Sequence, residues 1–369
     1  MNILITGGAG FIGSHTADRL LADGHKVIIL DNLQKPVHLK GKPDYIPDKA
    51  EFIVGDVRDK KTLENSMKDI DVIYHLAAYQ DYLPDFSTYF HVNSVSTSLI
   101  YEIIVEKKLP VKKVIVASSQ AVLGEGLYKC EDHGELIPDI RLDEQLSKGD
   151  WEQHCPECGK YMKYLPTPET RINPQNQYAI SKYTQEMIAV NLGKRYNIPS
   201  VALRYSIVQG PRQSFYNAYS GAMRIFALHL YFSKQPVIYE DGMQMRDYVN
   251  YRDVVEANIL VLRDDRANYQ CFNVGGGRVY SVVDFYKKVQ QITGKDIEPV
   301  ISRYYRYGDT RHIFSDISKL KSLGWEPRVP IEESIREYWE YLNKQTDIDD
   351  ILEYTEKTMM KKGVVRAIK

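Results

Sequence analysis

The chain opens with "NILITGGAGFIGSH" (2–15): a β-rich run, a turn with four glycines in seven residues, then a helical pattern. No other stretch restricts the fold as much. Gly8, Gly10 and Gly13 satisfy G-x-G-x-x-G, and Gly7, Gly10 and Gly13 the alternative G-x-x-G-x-x-G. Glycines so placed let the chain turn tightly and bring backbone N–H groups close to a pyrophosphate at the helix N-terminus. Alone, such a pattern is an ordinary turn; a strand before it and a helix after it make it a dinucleotide loop. The next β-rich run, "KVIIL", is followed by Asp31, 18 residues beyond Gly13. A carboxylate there suits the two ribose hydroxyls of an adenosine and repels a 2′-phosphate, which favours NAD over NADP. Phe11 and Ile12 in the turn and Asn32 beside the carboxylate join the expected cofactor contacts.

Similar runs recur at "EFIVG" (51–55), "DVIYHLA" (71–77), "KKVIVAS" (112–118) and "SVALRY" (200–205), with helical patterns between most of them. Near-continuous apolar strands separated by helices predict a parallel sheet covered on both faces. The expectation is an α/β fold: a Rossmann-type doubly wound sheet over 1–205, with ligand at the carboxyl ends of the strands. A smaller C-terminal substrate-binding α/β domain is expected over 206–340, with 245–275 returning to the first domain and 341–369 forming a charged helical extension. The basic end of that extension reads as a solvated tail rather than a binding patch.

Composition narrows the function classes. A formal net charge of −1 over 369 residues argues against nucleic acid as the main partner, because phosphate binding is built from clustered basic excess. No run approaches a membrane span, and no signal peptide is read at the N-terminus, so the expected compartment is cytoplasmic. The 28 tyrosines mean that a lone tyrosine carries little information.

The motifs "TGGAGFIG" (6–13), "GDVRD" (55–59), "HLAA" (75–78), "SSQAVLG" (118–124), "YAISK" (178–182), "LRYSIVQGPRQ" (203–213), "RDYVNYRDVVEA" (246–257), "FNVGGG" (272–277) and "LGWEP" (323–327) occur in one order. In these the chain resembles the extended short-chain dehydrogenase/reductases, the superfamily of nucleotide-sugar epimerases and dehydratases. The resemblance implies that Asp56 and Val57 hold the adenine, and that Leu76, Ala77, Ala78, Asn93 and Ser118 line the cofactor. It also implies a catalytic trio of Ser119, Tyr178 and Lys182, the last two touching the cofactor as well. Gln120, Arg212, Arg246, Arg306 and Asp309 would face the substrate, the arginines at 246 and 306 gripping a diphosphate. Homodimers are implied too, paired through helices holding residues 88–107 and 178–195.

The chemistry of the trio is consistent. A free tyrosine has a pKa of about 10 and is a poor base at neutral pH. An ammonium one helical turn away favours its phenolate. Ser119 can then hydrogen-bond the substrate oxygen while Tyr178 removes or returns its proton and NAD takes hydride from the same carbon.

What flanks Ser119 selects the reaction. Dehydratases of this resemblance carry Thr-Asp-Glu, whose carboxylates expel water; here Ser119 is followed by Gln120 and Ala121. Without an acid for the leaving hydroxyl, elimination lacks its device. The expected activity is that of a nucleotide-sugar 4-epimerase of the UDP-glucose or dTDP-L-rhamnose type: oxidation to a 4-keto sugar, then reduction on the opposite face. A cofactor-releasing dehydrogenase or reductase is the alternative, and a non-catalytic dinucleotide sensor a more distant one. Two departures, Ile207 for the asparagine of "RYFN" and Leu123 for the tyrosine of "VYG", imply altered substrate contacts.

Residues 125–172 form an insertion with Cys130, His133, Cys155 and Cys158 at the spacing of two zinc half-sites, His154 being an alternative to His133. Four protein ligands imply a structural rather than a catalytic zinc. By its place between Ser119 and Tyr178, this segment is expected to be a lid over the substrate mouth.

Overall fold

The protein is described from a computed structural model, which covers residues 1–81, 83–217 and 221–369. Seven parallel strands make the central sheet: β1 (Asn2–Thr6), β2 (Lys26–Asp31), β3 (Glu51–Val54), β4 (Val72–His75), β5 (Lys113–Ser119), β6 (Ser200–Tyr205) and β7 (Gln270–Val274). Their order is β7-β6-β5-β4-β1-β2-β3, so the direction of sheet growth reverses between β1 and β4. Ligands of doubly wound sheets bind at that crevice, outside the carboxyl ends of the strands. Register aligns those ends: Thr6 lies opposite both Leu30 and His75, and Ser119 opposite Tyr205.

The strands are apolar on both sides because both sides are covered. Ile3, Ile5 and Ile29 enter one buried cluster, Leu4, Ile28 and Ile73 the other. On the first face the helix after the glycine turn, Phe11–Ala22, meets the helix Tyr251–Arg263. Asn258 Nδ2 donates to Thr16 Oγ1 at 3.0 Å, and the His15 and Tyr251 rings lie 4.0 Å apart.

A second unit stands over the carboxyl ends. Its helices Ala222–Tyr231, Val282–Thr293 and Ile331–Asn343 bury Phe226, Phe285, Tyr338 and Leu342 in a separate core. The strand Met245–Asn250 ties the two units: it runs parallel to Ile207–Gln209, just after β6, and antiparallel to Val279–Ser281. Among the described residues no helix is long and apolar enough to cross a membrane.

Two segments differ from expectation. The extension 341–369 does carry a helix, but its basic end is not a solvated tail. Leu352 and Met359 of the helix Leu352–Lys361 are buried, and Val365–Ala367 pairs with the strand Tyr304–Arg306, Val365 opposite Arg306. Charge on the outer face of this helix concealed an apolar inner face. The insertion folds on its own three-stranded antiparallel sheet, Leu127–Cys130 between Gly134–Leu136 and Lys163–Leu165.

Candidate active site

A cavity of about 950 Å³ lies between the two units. Gly7, Gly10, Phe11, Ile12, Gly13 and Leu76 line one end. Ser118, Ser119, Gln120 and Tyr178 line the middle, while Arg246, Arg306 and Asp309 line the other end; Arg212 lines the glycine-turn end, paired with Asp18 at 2.7 Å. One space therefore joins the glycine turn to the arginines through Ser119 and Tyr178.

The turn is shaped by backbone lying on backbone. A Cβ on Gly7, whose φ is +68°, would stand 2.6 Å from the Ala77 nitrogen, and one on Gly13 2.3 Å from the Gly7 carbonyl oxygen. Asp31 takes hydrogen bonds from the Ala9 amide at 3.0 Å and the Leu33 amide at 2.9 Å. Each carboxylate oxygen still has a lone pair for a ribose hydroxyl. Asp56 is held by Arg58 and by Asn32 at 3.0 Å, and the Arg58 hydrogen bonds pull its carboxyl down to about 2. These residues fit a dinucleotide. Asp31, Asn32, Asp56, Val57, Ala77, Ala78, Asn93 and Lys182 are not among the residues lining the cavity.

Asn93 sits behind the site. It is fully buried, accepts from the Tyr79 amide at 2.9 Å, and donates to the Tyr79 carbonyl at 3.1 Å and Ser181 Oγ at 2.9 Å. Its amide positions the helix Gln177–Tyr196 that carries Tyr178 and Lys182. Lys182 is buried too. Its ammonium donates to the Ala117 carbonyl at 2.8 Å and Gln185 Oε1 at 2.9 Å, which leaves a third N–H for a ligand. Burial pushes its pKa down to about 7, partly countered by Glu186. Glu186 in turn accepts from Ser118 and is clamped by Arg204 at 2.8 and 2.7 Å. Ser119 ends β5 and caps the following turn, its Oγ accepting from the Ala121 amide at 3.2 Å.

The far end is organised by Asp247. Its carboxylate receives Ser206 Oγ at 3.0 Å, the Gly276 amide at 2.7 Å and the Ser315 amide at 3.2 Å, and burial pushes it up to about 6. Neighbouring Arg246 donates to the Met245 and Arg311 carbonyls at 3.1 and 3.0 Å. Arg306 lies over the Tyr239 ring at 5.3 Å, whereas Arg212 lies over Tyr45 at 4.7 Å, back at the glycine turn, where Tyr45 donates to the Ala9 carbonyl at 2.8 Å. Gln120 Oε1 is buried at the cavity without a protein partner. Leu123 is buried against Val122, Ile313 and Tyr183, so it offers the cavity no polar group, whereas Ile207 lines it.

Two stretches at the cavity were not foreseen. Val37–Tyr45 forms one wall, and Thr355, Glu356 and Met359 of the C-terminal helix another. None of residues 125–172 lines it. The insertion, expected as a lid, contributes nothing to the cavity wall; its Arg141 and Glu152 bond Glu240 and Arg311 instead.

Within the insertion, the ligand atoms of Cys130, His133, Cys155 and Cys158 all lie within 4.8 Å of one another. His133 Nδ1 is 3.3 Å from Cys155 Sγ and 3.7 Å from Cys130 Sγ, which is 3.6 Å from Cys158 Sγ. His154 stands apart, with Nδ1 on the Gly159 carbonyl at 2.9 Å and Nε2 on Asp150 at 2.8 Å. Cys271, outside the cluster, touches Glu186 at 3.5 Å.

Fold and site define a dinucleotide-binding enzyme of the Rossmann type. The chain belongs to the NAD dependent epimerase/dehydratase family, whose model matches residues 3–141, while that of GDP-mannose 4,6 dehydratase matches 159–338. It is 31% identical to the dTDP-L-rhamnose 4-epimerase of Burkholderia thailandensis over 94% of this chain and 96% of that one. The UDP-glucose 4-epimerase of Thermotoga maritima, solved with UDP-glucose, superposes with a TM-score of 0.76 at 32% identity, covering 93% of this chain and 99% of that one. The UDP-glucose 4-epimerase of Thermus thermophilus, solved with NAD, gives 0.74 at 27%, covering 94% and 100%.

Proposed function

We propose that the protein is an NAD-dependent nucleotide-sugar 4-epimerase with a structural zinc. The observation that carries the reading is the shared cavity: Ser119 and Tyr178 face it between the glycine turn and Arg246 and Arg306, while Gln120 and Ala121 stand where dehydratases place carboxylates. The similarity to named 4-epimerases over nearly the whole chain supports it.

Gly7, Gly10 and Gly13 admit the cofactor's pyrophosphate, and Asp31 its adenosine ribose. When bound, NAD supplies what no side chain can, acceptance and return of a hydride. Tyr178 takes the proton of the sugar hydroxyl as phenolate and gives it back to the same oxygen once the keto sugar has turned its other face. Lys182, while it carries its proton, favours that phenolate. Ser119 holds the sugar oxygen, and the unpartnered Gln120 Oε1 accepts from a hydroxyl. Arg246 and Arg306 neutralise the diphosphate, for which a forked guanidinium is suited.

The metal reading rests on the Cys130/His133/Cys155/Cys158 distances. A tetrahedral zinc with S at ~2.3 Å and N at ~2.0 Å requires S–S edges near ~3.8 Å and S–N edges near ~3.5 Å. Three of the six spacings, 3.6, 3.7 and 3.3 Å, are near those edges, and all six are within 4.8 Å. We further read the enzyme as a cytoplasmic homodimer. Exposed Ile180 and Met187, two turns apart on one helix face, support pairing.

The test incubates purified protein, with no added cofactor, with UDP-, dTDP-, GDP- and CDP-sugars. Interconversion of C4 epimers supports the reading; turnover only with stoichiometric added NAD(H) replaces it with a dehydrogenase or reductase.

A further inference from the structure

The insertion does not touch the cavity, yet it is joined to the cavity's far end through buried charge. Arg141, from the insertion, is fully buried and grips Glu240 with two bonds of 3.0 Å. The same guanidinium donates to the Trp151 carbonyl at 2.8 Å and to the Asp309 carbonyl at 2.8 Å. Arg311, equally buried, bonds Glu152 of the insertion at 2.9 Å, Glu240 at 3.0 Å and Asp241 at 2.7 and 2.9 Å. Its amide donates to Glu125 at 2.8 Å, and its carbonyl accepts from Arg246 at 3.0 Å. His312 bridges Glu152 at 3.0 Å and the Met245 amide at 3.1 Å, and its ring stacks on Tyr164 at 4.7 Å. Arg246 and Asp309, which line the cavity, thus hang on a cluster whose other half belongs to the insertion.

The apolar core behind that half is small. The insertion's apolar cluster is Tyr128, Cys130, Cys155 and Met162, with Leu136 and Tyr164 packed against it. Two of its four buried members are members of the Cys/His cluster, and Glu152 lies only three residues before Cys155. A core this small needs a staple. Removing one side of a buried ion pair leaves the other charge uncompensated, so the cluster tolerates no partial disorder.

We infer that the metal-clipped insertion is a positioning device for the nucleoside-diphosphate end of the substrate site, acting through Arg141 and Arg311 on Asp309 and Arg246. The glycine turn and Asp31 are outside its reach, so metal occupancy sets substrate affinity and leaves dinucleotide retention alone. This rests on the nucleotide-sugar reading above and adds to it a reason for the insertion.

The test measures binding rather than turnover. Protein purified without chelator is divided, one portion stripped of metal and a third sample restored with zinc. Each is assayed for zinc, for dinucleotide released on denaturation, and for affinity by calorimetry for UDP, dTDP, GDP and CDP. The expected result is about one zinc per chain, unchanged dinucleotide content, and at least a tenfold loss of nucleoside-diphosphate affinity on stripping that zinc restores. Affinity within twofold after stripping overturns the inference, as does loss of dinucleotide in parallel. Less than half an equivalent of zinc in the native protein overturns it while leaving the epimerase test untouched. If none of the four binds the native protein, the nucleotide-sugar reading falls first and this one with it. Should stripping unfold the chain, Arg141→Met decides: a tenfold weaker affinity with zinc and dinucleotide retained, recovered in part by Arg141→Lys, supports the inference, and unchanged affinity sinks it.

Discussion

Lys182 donates to the carbonyl of Ala117, two residues before Ser119 in β5, at 2.8 Å. The helix with the proposed base and the strand with the proposed hydroxyl are thus latched by the same ammonium that tunes the base. Removing that ammonium has electrostatic and positional consequences, and they can be separated.

Tyr178→Phe keeps the ring and its packing and deletes the proton carrier. We expect kcat for epimer interconversion to fall by about 10²–10⁴-fold, with bound dinucleotide unchanged when it is released and quantified. Undiminished turnover would remove Tyr178 from the mechanism.

Lys182→Met tests the tuning. Without the neighbouring cation the phenol regains a pKa near or above its free value of about 10. The residual activity should rise with pH, its ascending limb displaced alkaline by about 1–3 units. A kcat profile from pH 6 to 10 for both proteins gives the displacement; coincident limbs would refute the role.

His75 offers a check on stability. It is fully buried between Thr6 Oγ1 at 2.7 Å and Ser96 Oγ at 2.8 Å, and burial, with Lys182 adding to it, drops its pKa to about 3. The folded state refuses a proton that the unfolded state accepts near pH 6.5. Stability from this group is therefore full above that pH and declines as pH falls toward 3. Between pH 7 and 5 the wild type should lose about 2 kcal/mol more than His75→Gln. Urea unfolding at the two pH values measures the difference, and equal losses would contradict it.

Gly13→Ala places a methyl 2.3 Å from the Gly7 carbonyl and 2.8 Å from the Gly8 Cα. Overpacking against backbone costs about 1–3 kcal/mol. The expected outcome is a lower melting temperature and at least a tenfold drop in dinucleotide per chain after purification.

The glycine turn, the doubly wound sheet, and Ser119 and Tyr178 facing one cavity were legible because each is written within a short stretch with its own local geometry. The Cys130/His133/Cys155/Cys158 cluster was legible by spacing, and the hydrogen bonds that occupy both nitrogens of His154 keep that residue, the alternative, apart from it. The Arg141–Glu240–Arg311 cluster was not legible. Its members come from segments up to 170 residues apart in number, and each reads alone as a surface charge. The C-terminal wall left a faint signal, Leu352 and Met359 seven apart, beneath a run of lysines and glutamates. Asn93, expected at the cofactor, also bonds the Tyr79 amide and Ser181 Oγ, contacts between distant segments that no local pattern announces.

Because the Gly13 Cα is seated on the Gly7 carbonyl with no side chain between, the nest for the dinucleotide is finished when the chain folds. Its docking freezes few further torsions, which lowers the entropic cost of association. A carrier that must accept and return hydride within one visit of the sugar gains from such a pre-shaped berth.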